Sequence, residues 1–207
     1  MATQKERQER SRNEIFNAAM EEFGKQAYDK VTMECICSNH GISKGMMYHY
    51  YSNKDELFLL CVKDTFNALK DYVEGEISSI IHLDAVEAIE NYFMLREHFF
   101  ENYPQRKYIF ETAIIHTPKH LSDEIKRLHE PLTQVNRNFL ERIVTQIPLR
   151  KGLEADKVMR YLESVEQVLQ SVIRCYKGSP VSDDIHSVFG YAREILDMAL
   201  FGVLRQS

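Results

Sequence analysis

Between residues 32 and 58 the sequence TMECICSNHGISKGMMYHYYSNKDELF starts three helices in quick succession. This punctuation constrains the fold more tightly than anything else in the chain. At each start a side-chain oxygen can accept from the free N–H groups of the first turn, and apolar residues on either side clip the entry together. Thr32 lies between Val31 and Ile36, Ser43 between Ile42 and Met47, and Asn53 between Tyr51 and Leu57, with Glu56 placed to complete a capping box. His40-Gly41 supplies the stop between the first two helices, because glycine enters the left-handed conformation beyond a helix end at little steric cost. Two short helices separated by three or four residues have the spacing of a helix-turn-helix.

A DNA reader needs cations, since much of its affinity comes from neutralised phosphates, and the chain has 207 residues with a formal net charge of −5. Distribution outweighs that total. Residues 35–54 contain no Asp or Glu but include His40, Lys44, His49 and Lys54, while Lys5, Arg7, Arg10 and Arg12 gather near the N-terminus. The opening stretch MATQKERQERSRNE is charged throughout and has no signal-peptide core. There is no 18-residue apolar run either, so the expected location is cytoplasmic, with no membrane partner.

Every other segment reads as helix, without period-two alternation, so the expected class is all-α with about nine helices. A first helix over residues 8–26 presents Ile15, Phe16, Ala19, Met20 and Phe23 on one face and supports the reader. A long helix opens at Asn53 and runs past Val73. Another opens at Asp84 and ends near residue 101. Pro104, Pro118 and Pro131 punctuate shorter pieces, and Pro131 either kinks a helix or starts a new one ending near residue 147. The last two helices, over 155–176 and 182–204, carry apolar stripes wider than one intramolecular face needs. They are expected to pair with the same helices of a second copy. The domain division expected from this pattern is 1–52 for a three-helix DNA-binding domain and 53–207 for a ligand-binding and dimerisation domain.

In the reader, the N-terminal part of the third helix would reach base edges. Ser43 can cap its helix and bond a phosphate, and Lys44 can donate to guanine O6 or N7. Gly45 costs its helix about 1 kcal/mol relative to alanine, which suggests close approach of its backbone to DNA. Met46 is expected outward, against a thymine methyl, and Met47 inward. Of the aromatic run, Tyr51 and part of Tyr50 turn inward, leaving Tyr48 and His49 toward the groove. Lys54 stands in a first turn, where the helix dipole opposes a cation, and a phosphate bound there would reverse the penalty. Thr32 caps the second helix and could hold phosphate in the same way.

These residues carry a resemblance. GISKGMMYHYYSNKDELF is similar, nearly position by position, to the DNA-binding signature of TetR-family transcriptional regulators, with capping residue, glycine, tyrosine, aromatic and lysine in register. The resemblance covers about the first 60 residues and is architectural beyond them. It implies base or groove contacts near Lys44, Gly45 and Tyr48, and phosphate contacts near Thr32, Ser43, Tyr50 and Lys54. Met46 departs from the pattern, which often has a small hydroxyl residue there. The resemblance also implies a homodimer on a palindromic operator and an inducer pocket among the middle helices. The sequence offers Tyr92, Phe93, Leu95, His98, Phe99, Phe110, His116 and Leu169 for that pocket, a set suited to an apolar or aromatic small molecule. Ligand capture would release DNA by changing the spacing of two reader helices that must match grooves about 34 Å apart.

Neither catalysis nor a bound cofactor is expected. His116 and His120 have metal-like spacing, but Pro118 between them disfavours the shared helix that would align them, and no phosphate loop or nucleophile elbow is present. Cys35, Cys37, Cys61 and Cys175 form neither a disulfide framework nor a paired zinc motif. Cys35 and Cys37 lie about 200° apart around a helix and cannot chelate one ion together. A metal- or redox-responsive regulator of the same fold, using His98, His116, His120, His129 or Cys35, is the alternative. A helical enzyme is the more distant one.

Overall fold

The computed structural model describes residues 3–146, 149, 151–177, 194 and 197–199, with the side chains of 166, 167 and 169–177 left out. Among the described residues the regular elements are helices, and no β-strand occurs. The all-α class expected from the sequence is the one observed.

Helix α1 spans Gln4–Phe23 and begins four residues before the expected start. Thr3 and Glu6 explain the difference: the Glu6 N–H donates to the Thr3 hydroxyl at 3.3 Å and the Thr3 N–H to the Glu6 carboxylate at 2.7 Å, a reciprocal cap. The early turns are exposed, and Ile15, Ala18, Ala19 and Phe23 are buried. At the other end, a Cβ on Gly24 would stand 2.7 Å from the Gln105 Cβ. Only glycine admits the close passage of helix α6, Pro104–Ile114, against the end of α1.

A 3-10 turn at Tyr28–Lys30 leads to α2 (Met33–His40), α3 (Lys44–Tyr50) and α4 (Lys54–Ile80). Helix α5 spans Ala85–Asn102, entered through Asp84, whose carboxylate accepts from the Val86 and Glu87 N–H groups at 3.0 and 3.1 Å. Pro104 takes the first position of α6, where a missing N–H costs nothing. A second 3-10 turn, Lys119–Leu121, precedes α7 (Ser122–Val144). Of the two alternatives for Pro131, the helix continues through it. Helix α8 spans Ala155–Lys177, and the helix expected over 182–204 falls mostly outside the described residues.

The chain packs as two compact units, one formed by residues 1–72 and 97–133, the other by 73–96 and 134–207. The reader expected over residues 1–52 lies wholly in the first. Its core is aromatic: Phe23 and Tyr28 each lie 5.0 Å from Phe58, and farther along Phe110 lies 5.6 Å from Phe66 and 5.2 Å from Phe100. In the second unit Tyr92 stacks on Phe139 at 3.9 Å and donates its hydroxyl proton to Asn136, with Ile89, Leu140, Ile143, Val158 and Leu162 buried.

Candidate nucleic-acid interface

The scaffold of the reader follows from its apolar residues. Val31, Ile36, Cys37, Ile42, Met47 and Leu57 are all buried, and α1, α2 and α3 pack on one another. All three caps form. The Thr32 hydroxyl accepts from the Cys35 N–H at 3.0 Å, and the Cys35 Sγ accepts from the Thr32 N–H at 3.3 Å, so a cysteine closes a box usually closed by Glu or Gln. Ser43 accepts from the Met46 N–H at 3.1 Å. Asn53 accepts from the Glu56 N–H at 3.0 Å, but the Glu56 carboxylate reaches back to the Ser52 N–H, one residue before a capping box would place it. Gly41 ends α2 in the left-handed region at φ 67°.

A polar lock between α1 and α2 was not legible in the sequence. Glu22 is 6% exposed and accepts from Asn39 at 3.1 Å and Gln26 at 2.9 Å, with His40 Nε2 at 3.0 Å. Burial pushes its carboxyl up, but hydrogen bonds from Asn39, His40 and Gln26 outweigh burial and hold it below the ordinary carboxylate range. His40, counted among the cations of the reading segment, is therefore turned toward α1.

What remains exposed is one face of α3 with the start of α2. The Lys44 side chain is 66% exposed and Tyr48 is 50% exposed. Thr32, Ser43, Gly45 and His49 are exposed too. A Cβ built on Gly45 meets nothing within 4 Å, so no packing among the described residues calls for glycine there. Met46 is half-buried rather than fully outward. Tyr50 is half-buried, with the Arg12 guanidinium 5.5 Å from its ring centre and His49 edge-on at 4.7 Å.

The stretch without acids has a neighbour that its boundary at residue 35 hides. Glu34, exposed in the first turn of α2, lies 3.8 Å from Lys44 Nζ and accepts from the Tyr48 hydroxyl at 3.5 Å. Folding α2 against α3 thus returns a carboxylate to the face that the linear sequence left free of acid.

Lys54 has partners within the protein. Its ammonium donates to the carbonyls of Tyr28 at 3.1 Å and Val31 at 3.3 Å and lies 4.1 Å from the Tyr28 ring centre. These groups offset the dipole penalty anticipated for a first-turn cation. The Tyr28 hydroxyl donates to Asp55, whose other oxygen lies 3.0 Å from His120 Nε2. Burial, then the Asp55 hydrogen bond, pushes the Tyr28 phenol well above its usual range. One tyrosine therefore fixes the start of α4 through its carbonyl, its ring and its hydroxyl.

The residues offered for a ligand pocket fall in separate places. Tyr92 and Leu95 are buried and Phe93 half-buried in the second unit. Phe99 and Phe110 are buried in the first, both against Phe100 at 5.2 Å, while His98 is exposed. His116 lines a cavity of about 430 Å³ with Tyr28, Tyr108, Glu111, Thr112 and His120. The Leu169 side chain lies outside the described residues. Among the described residues no group of His, Cys, Asp and Glu is arranged to hold a metal ion. Cys35 is half-buried, and burial pushes the Cys37 and Cys61 thiols up.

Comparison with known proteins places this geometry. Residues 15–61 match the family model for bacterial regulatory proteins of the tetR family. Over 158 residues the chain is 22% identical to the biofilm operon icaADBC HTH-type negative transcriptional regulator IcaR of Staphylococcus epidermidis, covering 74% of this chain and 80% of that protein. The fold resembles the fatty acid degradation regulator FadR from Bacillus halodurans, with TM-score 0.70, 12% identity, and coverage of 95% and 97% of the two chains. It also resembles the regulator FadR from Bacillus subtilis solved with stearoyl-CoA, with TM-score 0.66, 14% identity, and coverage of 91% and 97%. Residues 15–61 thus carry the helix-turn-helix of the tetR family of bacterial regulatory proteins, and the chain around them has the all-α fold of solved transcriptional regulators.

Proposed function

We propose that the protein is a homodimeric repressor that binds a palindromic operator and leaves it when a small apolar or aromatic molecule binds. The observation that carries the DNA reading is the exposed face of α3 on which Lys44, Gly45 and Tyr48 stand together, with no neighbour among the described residues claiming the space above Gly45. Lys44, Gly45, Met46, Tyr48 and His49 meet bases or the groove wall. Thr32, Ser43, Tyr50 and Lys54 meet phosphate; Lys54 does so through the helix start that it holds in place. Residues 1–52 form the reader, and 53–207 sense ligand and dimerise.

Repression is supported by the similarity to a negative regulator. An apolar ligand is supported by the fold shared with a regulator solved with stearoyl-CoA, by the ring contacts of Tyr92 with Phe93 and Phe139 and the burial of Leu95 in the second unit, and separately by those of Phe99 and Phe110 with Phe100 in the first. His98, His116 and Leu169 complete the proposed ligand set. A dimer through the last two helices is supported by Tyr161 and Val168 on α8 and by Met198, all exposed in the single chain. No helix among the described residues is long and apolar enough to cross a membrane, which accords with a regulator working beside DNA in the cytoplasm.

The test is selection of bound duplexes from random DNA by the purified protein, followed by titration of the selected complex with stearoyl-CoA and with oleate. A two-fold symmetric site released by either compound is expected. An enriched site without symmetry would contradict the dimeric reader, and a complex indifferent to both compounds would contradict an acyl-type inducer.

A further inference from the structure

A carboxylate on a DNA-facing surface is repelled by the phosphates and weakens binding unless it meets a hydrogen-bond donor. Glu34 is such a carboxylate. It is exposed, 3.8 Å from Lys44 Nζ, and accepts from the Tyr48 hydroxyl, so it lies between the two side chains best placed to enter a groove. The helix dipole favours an acid in the first turn of α2, but that benefit would be the same if the side chain pointed away from α3.

Taking the DNA reading above as given, we propose that Glu34 and Lys44 read one G·C base pair in each half-site. The Glu34 carboxylate accepts from the cytosine N4 amino group, and the Lys44 ammonium donates to guanine O6 or N7. The major-groove edges select this pair over the others. Cytosine N4 has guanine O6 on one side and a C–H on the other, whereas adenine N6 is flanked by its own N7 and by thymine O4, both acceptors that repel a carboxylate. A neighbouring negative and positive group matches the donor and acceptor that one G·C pair presents side by side. Tyr48 holds the carboxylate in place, and Lys44 offsets the phosphate field that would otherwise expel it.

The experiment compares sequences selected from random duplexes by the full-length wild type, Glu34→Ala and Glu34→Gln. Thermal melting checks that the variants are folded, which the exposure of Glu34 favours. The wild type should select a fixed G·C pair in each half-site. Glu34→Ala should lose about tenfold discrimination at that pair and keep the remaining preferences. Glu34→Gln should move the preference toward adenine, because an amide matches adenine N6 and N7. Identical selected sites for all three proteins overturn the inference while leaving the DNA reading intact. Loss of all DNA affinity in a folded Glu34→Ala also overturns it, since Glu34 would then position Lys44 rather than read a base. Failure of the wild type to bind DNA removes both readings.

Discussion

The Lys54 ammonium lies 3.1 Å from the carbonyl oxygen of Tyr28, joining the first turn of α4 to the 3-10 turn that precedes the reader helices. Val31 supplies a second carbonyl and Tyr28 a ring face. Lys54→Met keeps the apolar stem and removes the charge, so both carbonyl bonds are lost. We expect a loss of about 1–3 kcal/mol in stability, read from urea unfolding. Unchanged stability would show that the clamp contributes nothing, and the lysine would then be held for phosphate alone.

Glu22 makes stability depend on pH with a definite sign. Its folded-state pKa is lowered, so its contribution is complete above the unfolded value of about 4.3 and disappears as the pH falls through the folded value. In Glu22→Gln an amide with one acceptor oxygen must face three donors, costing about 1–3 kcal/mol near neutral pH. The gap between wild type and variant should close as the pH falls below about 4. Urea midpoints across that range check it, and a gap independent of pH would contradict the carboxylate's role.

Gly45→Ala separates folding from function. With open space around the position, alanine should stabilise α3 by about 1 kcal/mol. The same methyl group would stand where backbone meets DNA, so operator affinity should fall while the melting temperature rises. Parallel melting and binding measurements decide it: improved stability with unchanged affinity would leave the glycine without a DNA explanation.

The caps at Thr32, Ser43 and Asn53 could be read from the sequence because each is completed within four residues, where composition alone sets the geometry. The same locality made the buried set of Ile36, Ile42, Met47 and Leu57 legible. Glu34 was hidden because its partners lie 10 and 14 positions away and become neighbours only when α2 folds against α3. Distance along the chain also concealed the Glu22 lock and the meeting of Tyr28, Asp55 and His120, the last spanning 92 positions. At Pro131 two outcomes were open, because a proline weakens a helix locally while packing on either side, such as that of Ile125 and Leu132, decides whether it continues.

Fluorescence anisotropy of the selected duplex, with wild type and Lys44→Ala/Tyr48→Ala compared at fixed salt, tests the DNA face most directly. Both side chains are exposed, so the melting temperature should be unchanged, while specific affinity should fall roughly 100-fold for the loss of two groove contacts. Equal affinity of the two proteins for the selected duplex would contradict the assignment of this face to DNA.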